Sequence, residues 1–123
     1  MLNVMVVAIG GAAGALLRFA LAEFVQTRVG SGFPWGTLAV NAAGCFAFGL
    51  ALSVLGAHTH LPPSVKLGVL VGFMGAFTTF STFAFDTHEL LQDSWTLAAG
   101  NVVAHNLLGL VCLLGGLALG KQL

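Results

Sequence analysis

Apolar residues run almost unbroken through four stretches of the chain, and the polar residues collect in short gaps between them. A helix needs about 20 predominantly apolar residues to cross the hydrocarbon core of a bilayer. The pattern predicts four such helices, over about 3–26, 34–56, 65–90 and 95–120. Only Arg18 and Glu23 interrupt the first. The second lies within a segment free of Asp, Glu, Lys and Arg from 29 to 65. The third is uncharged from 67 to 85, and His105 is the only ionisable group of the fourth. The gaps carry turn and helix-start chemistry. Gly30-Ser31-Gly32-Phe33-Pro34 predicts a turn, with a helix beginning at Pro34 or just after it. The segment from His58 to Pro63 is a second turn, in which Pro62-Pro63-Ser64 sets up the third helix. Gln92-Asp93-Ser94 offers Asp93 or Ser94 as N-cap of the fourth. No gap has room for a second domain, so residues 1–123 are expected to form one four-helix transmembrane domain.

Composition supports an all-α integral membrane protein. The chain is 58% apolar and 7% charged, against about 25% charged in soluble domains, and its mean hydropathy is +1.00. With a formal net charge of zero there is no basic patch for nucleic acid. Cys45 and Cys112 both fall in apolar stretches and read as small hydrophobes, with no spacing for a metal pair or disulfide. There is no Gly-x-Ser-x-Gly or P-loop motif and little mass outside the membrane, so the chain does not read as an enzyme. The N-terminus lacks a basic leader region and reads as a retained first span.

Four spans put both termini and the middle loop on one side. That side holds Lys66 and Lys121, with His58 and His60; the other holds Arg28 and the nearer Arg18. Two basic residues against two leaves the positive-inside rule without a winner. Dual topology, with chains inserted both ways and paired antiparallel, fits that balance. Seventeen glycines include the pairs Gly10/Gly14, Gly68/Gly72 and Gly116/Gly120. Small residues let helices approach closely in lipid, where little hydrophobic force acts between them. More small-residue surface is present than four helices need, which points to a homodimer.

The polar residues inside the spans are costly and belong in an interior or a cavity. Thr37, Asn41, Gly44 and Phe48 recur at i, i+4, i+7 and i+11, a single helix face. Thr78, Thr79, Ser81 and Thr82 place four hydroxyls in five residues, threaded by Phe77, Phe80 and Phe83. Thr79, Thr82 and Asp86 form a second face. Glycines and β-branched threonines lower helix propensity around 75–79. A break there would free carbonyls for a small hard cation such as Na⁺. The acids Glu23, Asp86 and Glu89 lie nearer span ends. What remains at depth is hydroxyls, an amide and the positive edges of phenyl rings, which suits a small anion that accepts hydrogen bonds. The competing reading is that the rings only pack and the hydroxyls bond their own helix.

Three motifs carry a family resemblance. They are Gly10-Gly11-x-x-Gly14-Ala15-x-x-Arg18-Phe19, Gly36-Thr37-Leu38-x-Val40-Asn41-x-x-Gly44-Cys45-Phe46, and Gly72-Phe73-x-Gly75-x-Phe77-Thr78-Thr79-Phe80-Ser81-Thr82-Phe83. With these in order along nearly its whole length, the chain resembles the Fluc/CrcB fluoride channels. The resemblance implies an antiparallel dual-topology homodimer in the cytoplasmic (inner) membrane, with two pores passing fluoride passively and selectively, exporting it to give fluoride resistance. It implies a structural Na⁺ at the dimer centre, held by backbone carbonyls of Gly75 and Thr78 at a break in the third helix. It places Asn41, Phe80, Phe83, Ser81 and Thr82 along the fluoride path and Arg18 at a vestibule; Thr37 is a further pore-lining candidate. Family members usually carry Glu three residues after the last Phe of the motif; Asp86 stands there, keeping the charge but not the reach. The fourth helix receives no firm assignment. The alternative is a small dual-topology proton-coupled exporter, which would want a membrane-embedded Glu in its first helix; Glu23 lies near that helix's end, beside Arg18.

Overall fold

A computed structural model of the chain describes residues 1–57 and 60–123. His58, grouped with the middle loop above, lies outside the described residues. Helix α1 (Leu2–Val29) ends at Gly30, whose φ of 122° lies in the region that favours glycine. Gln26 fastens the turn that follows. Its Nε2 donates to the carbonyls of Gly30 and Phe33, and its Oε1 accepts from the Gly36 N–H at 3.0 Å. One side chain thus serves the end of α1 and the start of α2 (Trp35–Ala57), both rich in backbone groups that helices leave unpaired.

The third span, Pro63–Asp93, is not one regular helix. It opens with α3 (Pro63–Lys66), Pro63 supplying the first turn, where its missing N–H is not needed. A π-helical run (Leu67–Phe73) follows, in which the Met74 N–H reaches back five residues to Val69 O. Then come α4 (Met74–Phe77), two extended residues and α5 (Phe80–Asp93). Ser94 caps α6 (Trp95–Gly120), its Oγ accepting from Leu97 N at 3.3 Å. All four spans are long and apolar enough to cross a membrane.

Two close pairings organise the bundle: α2 with α6, and α1 with the π-helical run. Glycine makes both possible. A Cβ at Gly116 would collide with Phe46 O, and one at Gly49 with Leu113 O, so the backbones of α2 and α6 touch through both. Gly10 and Gly14 do the same for α1 against Gly68 O and Phe73 O. Few residues are fully buried within one chain, and of α1 only Gly14 is. Lipid is as apolar as leucine, so exposed leucines cost nothing in a bilayer and packing must come from small residues. Gly116→Ala is therefore expected to lower the melting temperature in detergent, at a cost of about 1–3 kcal/mol for overpacking. Gly100→Ala, where a new methyl meets nothing within 4 Å, should melt no lower than the parent; equal melting of the two variants would remove the seam.

Candidate functional site

The backbone of the third span gives way at Thr78 (φ −80°, ψ 155°) and Thr79 (φ −146°, ψ 113°). Asn41 on α2 holds it there. Its Oδ1 accepts from Thr79 N at 2.8 Å, and its Nδ2 donates to Thr79 O at 3.0 Å, so one amide side chain pairs with both main-chain groups of one residue. Thr79 then caps α5: its Oγ1 accepts from Thr82 N at 3.2 Å and donates to Thr82 Oγ1 at 2.9 Å. In a continuous helix Thr79 N and Thr82 N would bond Gly75 O and Thr78 O. Both N–H groups are diverted, and those carbonyls lose their ordinary partners. Gly75 itself sits within α4, exposed on the bundle surface.

The predicted α2 face runs along this segment. Thr37 Oγ1 donates to Asp86 Oδ2 at 2.6 Å, a short charge-assisted bond across to α5. Asn41 meets Thr79, and Gly44 leaves room for the side chains of Thr78 and Phe77. Phe48 continues into a cleft of about 430 Å³ that also contains Asn41, Cys45, Thr78, Thr79, Phe80, Phe83, His105, Asn106 and Leu113. That lining contains amide, hydroxyl, imidazole and phenyl groups and no carboxylate. The Phe80 and Phe83 rings stand 5.5 Å apart, tilted by 57°. Phe83 also meets the His105 ring at 4.4 Å.

A second cavity, of about 500 Å³, opens between the C-terminal parts of α1 and α5 and the start of α2. All four carboxylates of the chain, Glu23, Asp86, Glu89 and Asp93, line it, together with Gln26 and Thr37. Thr37 and Asn41, one turn apart on α2, belong to the two cavities in turn, so α2 borders both an acidic cavity and a carboxylate-free cleft.

The remaining candidates are placed as follows. Thr82 is joined to Thr79, while Ser81 Oγ lies 3.4 Å from Thr79 Oγ1; both are exposed and line neither cavity. Phe80 is 78% exposed. Arg18 is half-buried on α1 and lines neither cavity. Cys45 and Cys112 are free thiols. Sequence reasoning assigned nothing on the fourth span, yet α6 contributes His105 and Asn106 to the cleft. The signal was His105 and Asn106 among the few polar residues of an apolar span, and it did not say which way they faced.

Four apolar spans, one interrupted beside a cleft that holds a few polar side chains, define a small multi-pass membrane protein. Residues 5–117 match the family described as CrcB-like protein, Camphor Resistance (CrcB), and the chain belongs to that family. A relative from Nitrosococcus oceani, named a fluoride-specific ion channel, is 46% identical over 94% of this chain and 93% of its own length. Relatives of the same name from Maridesulfovibrio salexigens and Geobacter metallireducens are 43% and 41% identical, over 94% and 100% of this chain and 92% and 100% of their own lengths.

Proposed function

We propose that this chain forms a passive, fluoride-selective channel that lets fluoride leave the cell across its cytoplasmic membrane. The observation that carries the reading is the cleft lining, which brings amide, hydroxyl, imidazole and phenyl groups together without a carboxylate. Fluoride is small, strongly hydrated and a strong acceptor, so it needs donors in place of its water. Asn41 spends one Nδ2 hydrogen on Thr79 and keeps a second. Phe80 and Phe83 of the cleft offer ring edges, while Ser81 and Thr82, outside the cleft, would offer hydroxyls on the exposed face of the same segment. A proton-coupled exporter would want an acid in that cleft; Glu23 lines the other cavity instead.

The reading extends to an antiparallel homodimer with two pores. Its support is what a single chain leaves uncovered: Gly75, Phe80, Ser81 and Thr82 are all exposed along one segment. Hydroxyls facing lipid are costly, and a second copy of the segment would cover them. Charge agrees in sign: the four carboxylates outnumber Arg28 and Arg18 at one end of the bundle, while Lys66 and Lys121 flank the other. Antiparallel pairing sets opposite charges side by side at each membrane face. The structural Na⁺ fits the donor set, since Gly75 O and Thr78 O have lost their helical partners and oxygen ligands suit a hard cation. Bound there, Na⁺ would supply positive charge to offset the carbonyl dipoles, and Gly75 and Thr78 would hold it. Arg18 would add basic charge near a vestibule.

The test is efflux from liposomes loaded with potassium fluoride or potassium chloride, started with valinomycin. Fluoride should leave while chloride stays. Retention of both ions, or drug-driven proton flux, would overturn the channel reading. Topology has its own check. With Cys45 and Cys112 replaced by alanine, Ser31→Cys in the α1–α2 turn should react with an impermeant maleimide from both sides of the membrane; labelling from one side only ends dual insertion.

A further inference from the structure

Helix α5 carries Phe80 and Phe83, yet none of its residues is buried. Within one chain, then, little apolar burial sets its rotation, and polar links contribute to it. Two have been described, Asn41 to Thr79 and Thr37 to Asp86. The third runs from α6. Asn101 has no exposed surface, and its Nδ2 donates to Thr87 Oγ1 at 2.9 Å. Thr87 Oγ1 passes its own proton to Phe83 O at 2.7 Å. The direction is set by proton counting: a hydroxyl has one hydrogen, a carbonyl only accepts, and so Thr87 must receive from the amide. Asn101 is thereby oriented, and its Oδ1 is left buried without a partner among the described residues.

Bonding to the carbonyl four residues back is an ordinary habit of a helical threonine. Receiving a bond from a buried amide on another helix is not. A leucine at 101 would fill similar space and leave no orphaned acceptor, which is costly to bury. The main-chain carbonyl of Asn101 also accepts from His105 Nδ1 at 3.1 Å, and the His105 ring lies 4.4 Å from that of Phe83. Asn101 thus reaches Phe83 twice, through Thr87 to its backbone and through His105 to its ring, in a closed circuit of four residues.

We propose that Asn101 and Thr87 are positioning residues that set the angle of the Phe83 ring toward the passing ion. The inference rests on the channel reading above. Thr87→Val, which keeps the shape and removes the hydroxyl, should cut fluoride flux about fivefold. It should also raise the fluoride concentration giving half-maximal flux. Thr87→Ser should restore both, which simple loss of packing would not allow. Asn101→Leu should match Thr87→Val, and the double variant should be no worse than the worse single one, because both break one chain of bonds. Wild-type flux and half-maximal concentration in Thr87→Val or in Asn101→Leu would overturn the proposal, as would a serine variant no better than valine. Phe83→Ile separates the two levels. Full flux in that variant removes Phe83 from the path and undercuts the channel reading. Lost flux there, with wild-type behaviour in Thr87→Val, removes only the positioning role.

Discussion

Asn41→Leu is expected to lose fluoride flux by about a hundredfold and to loosen the fold. The side chain occupies both main-chain groups of Thr79, which is itself buried. Leucine leaves that N–H and carbonyl unpaired, and each unmet group costs about 1–3 kcal/mol. Two such losses total about 2–6 kcal/mol, with every 1.4 kcal/mol worth a factor of ten in an equilibrium. The other bonds at Thr78 and Thr79 run to Met74 and Thr82 of the same span, so the cost falls on the segment that also releases Gly75 O and Thr78 O. Asn41→Asp separates structure from charge. Its carboxylate still accepts from Thr79 N, but it opposes Thr79 O with a second acceptor and places a negative charge in a cleft that has none. Flux should be near zero with aspartate and measurable though low with leucine. Stopped-flow efflux and melting in detergent read the two effects separately; wild-type flux in Asn41→Leu would show that the amide serves neither break nor path.

The second large effect is expected at the aromatic pair. Phe80→Ile and Phe83→Ile should each reduce fluoride flux by about tenfold or more while the protein still elutes as its parent does on size exclusion. Isoleucine keeps the apolar character but has no ring edge, so the change removes the quadrupole rather than the hydrophobic surface. The tilted rings present edges in different directions, and Phe80 does so from a largely exposed position. A second copy at that surface would make Phe80 serve two chains. Flux unchanged in both variants would remove the rings from the path, and a variant that passes chloride as well would assign them to selectivity.

Much of the architecture was legible in the residues. The spans predicted from apolar run length differ from the helices by a few residues at each end, because run length is what membrane thickness selects. Ser94 caps α6 and Pro63 opens α3, since both act on backbone groups within one turn. Gly10/Gly14 and Gly116 mark the tight seams, small residues being what lets lipid-embedded helices touch. The face formed by Thr37, Asn41, Gly44 and Phe48 followed from a period of 3.6; its first three residues meet the third span, and Phe48 lines the cleft. The π-helical run at Leu67–Phe73 had no such signal, because glycine-rich apolar sequence is compatible with several helical windings and packing against α1 chose one.

The sequence by itself determined the number of spans, their ends, the glycine seams and the faces on which polar groups stand. All of these depend on neighbours within a few residues or on a fixed helical period. Only the tertiary structure decided what those faces meet. It paired Asn41 with the main chain of Thr79, joined Thr37 to Asp86, brought Glu23 of α1 to the three carboxylates of α5, and turned His105 of α6 toward Phe83 and Asn101 toward Thr87. Helix periodicity sets directions around one axis only. The rotation of each helix about that axis, and so the partner of every polar side chain, is settled where backbones come into contact.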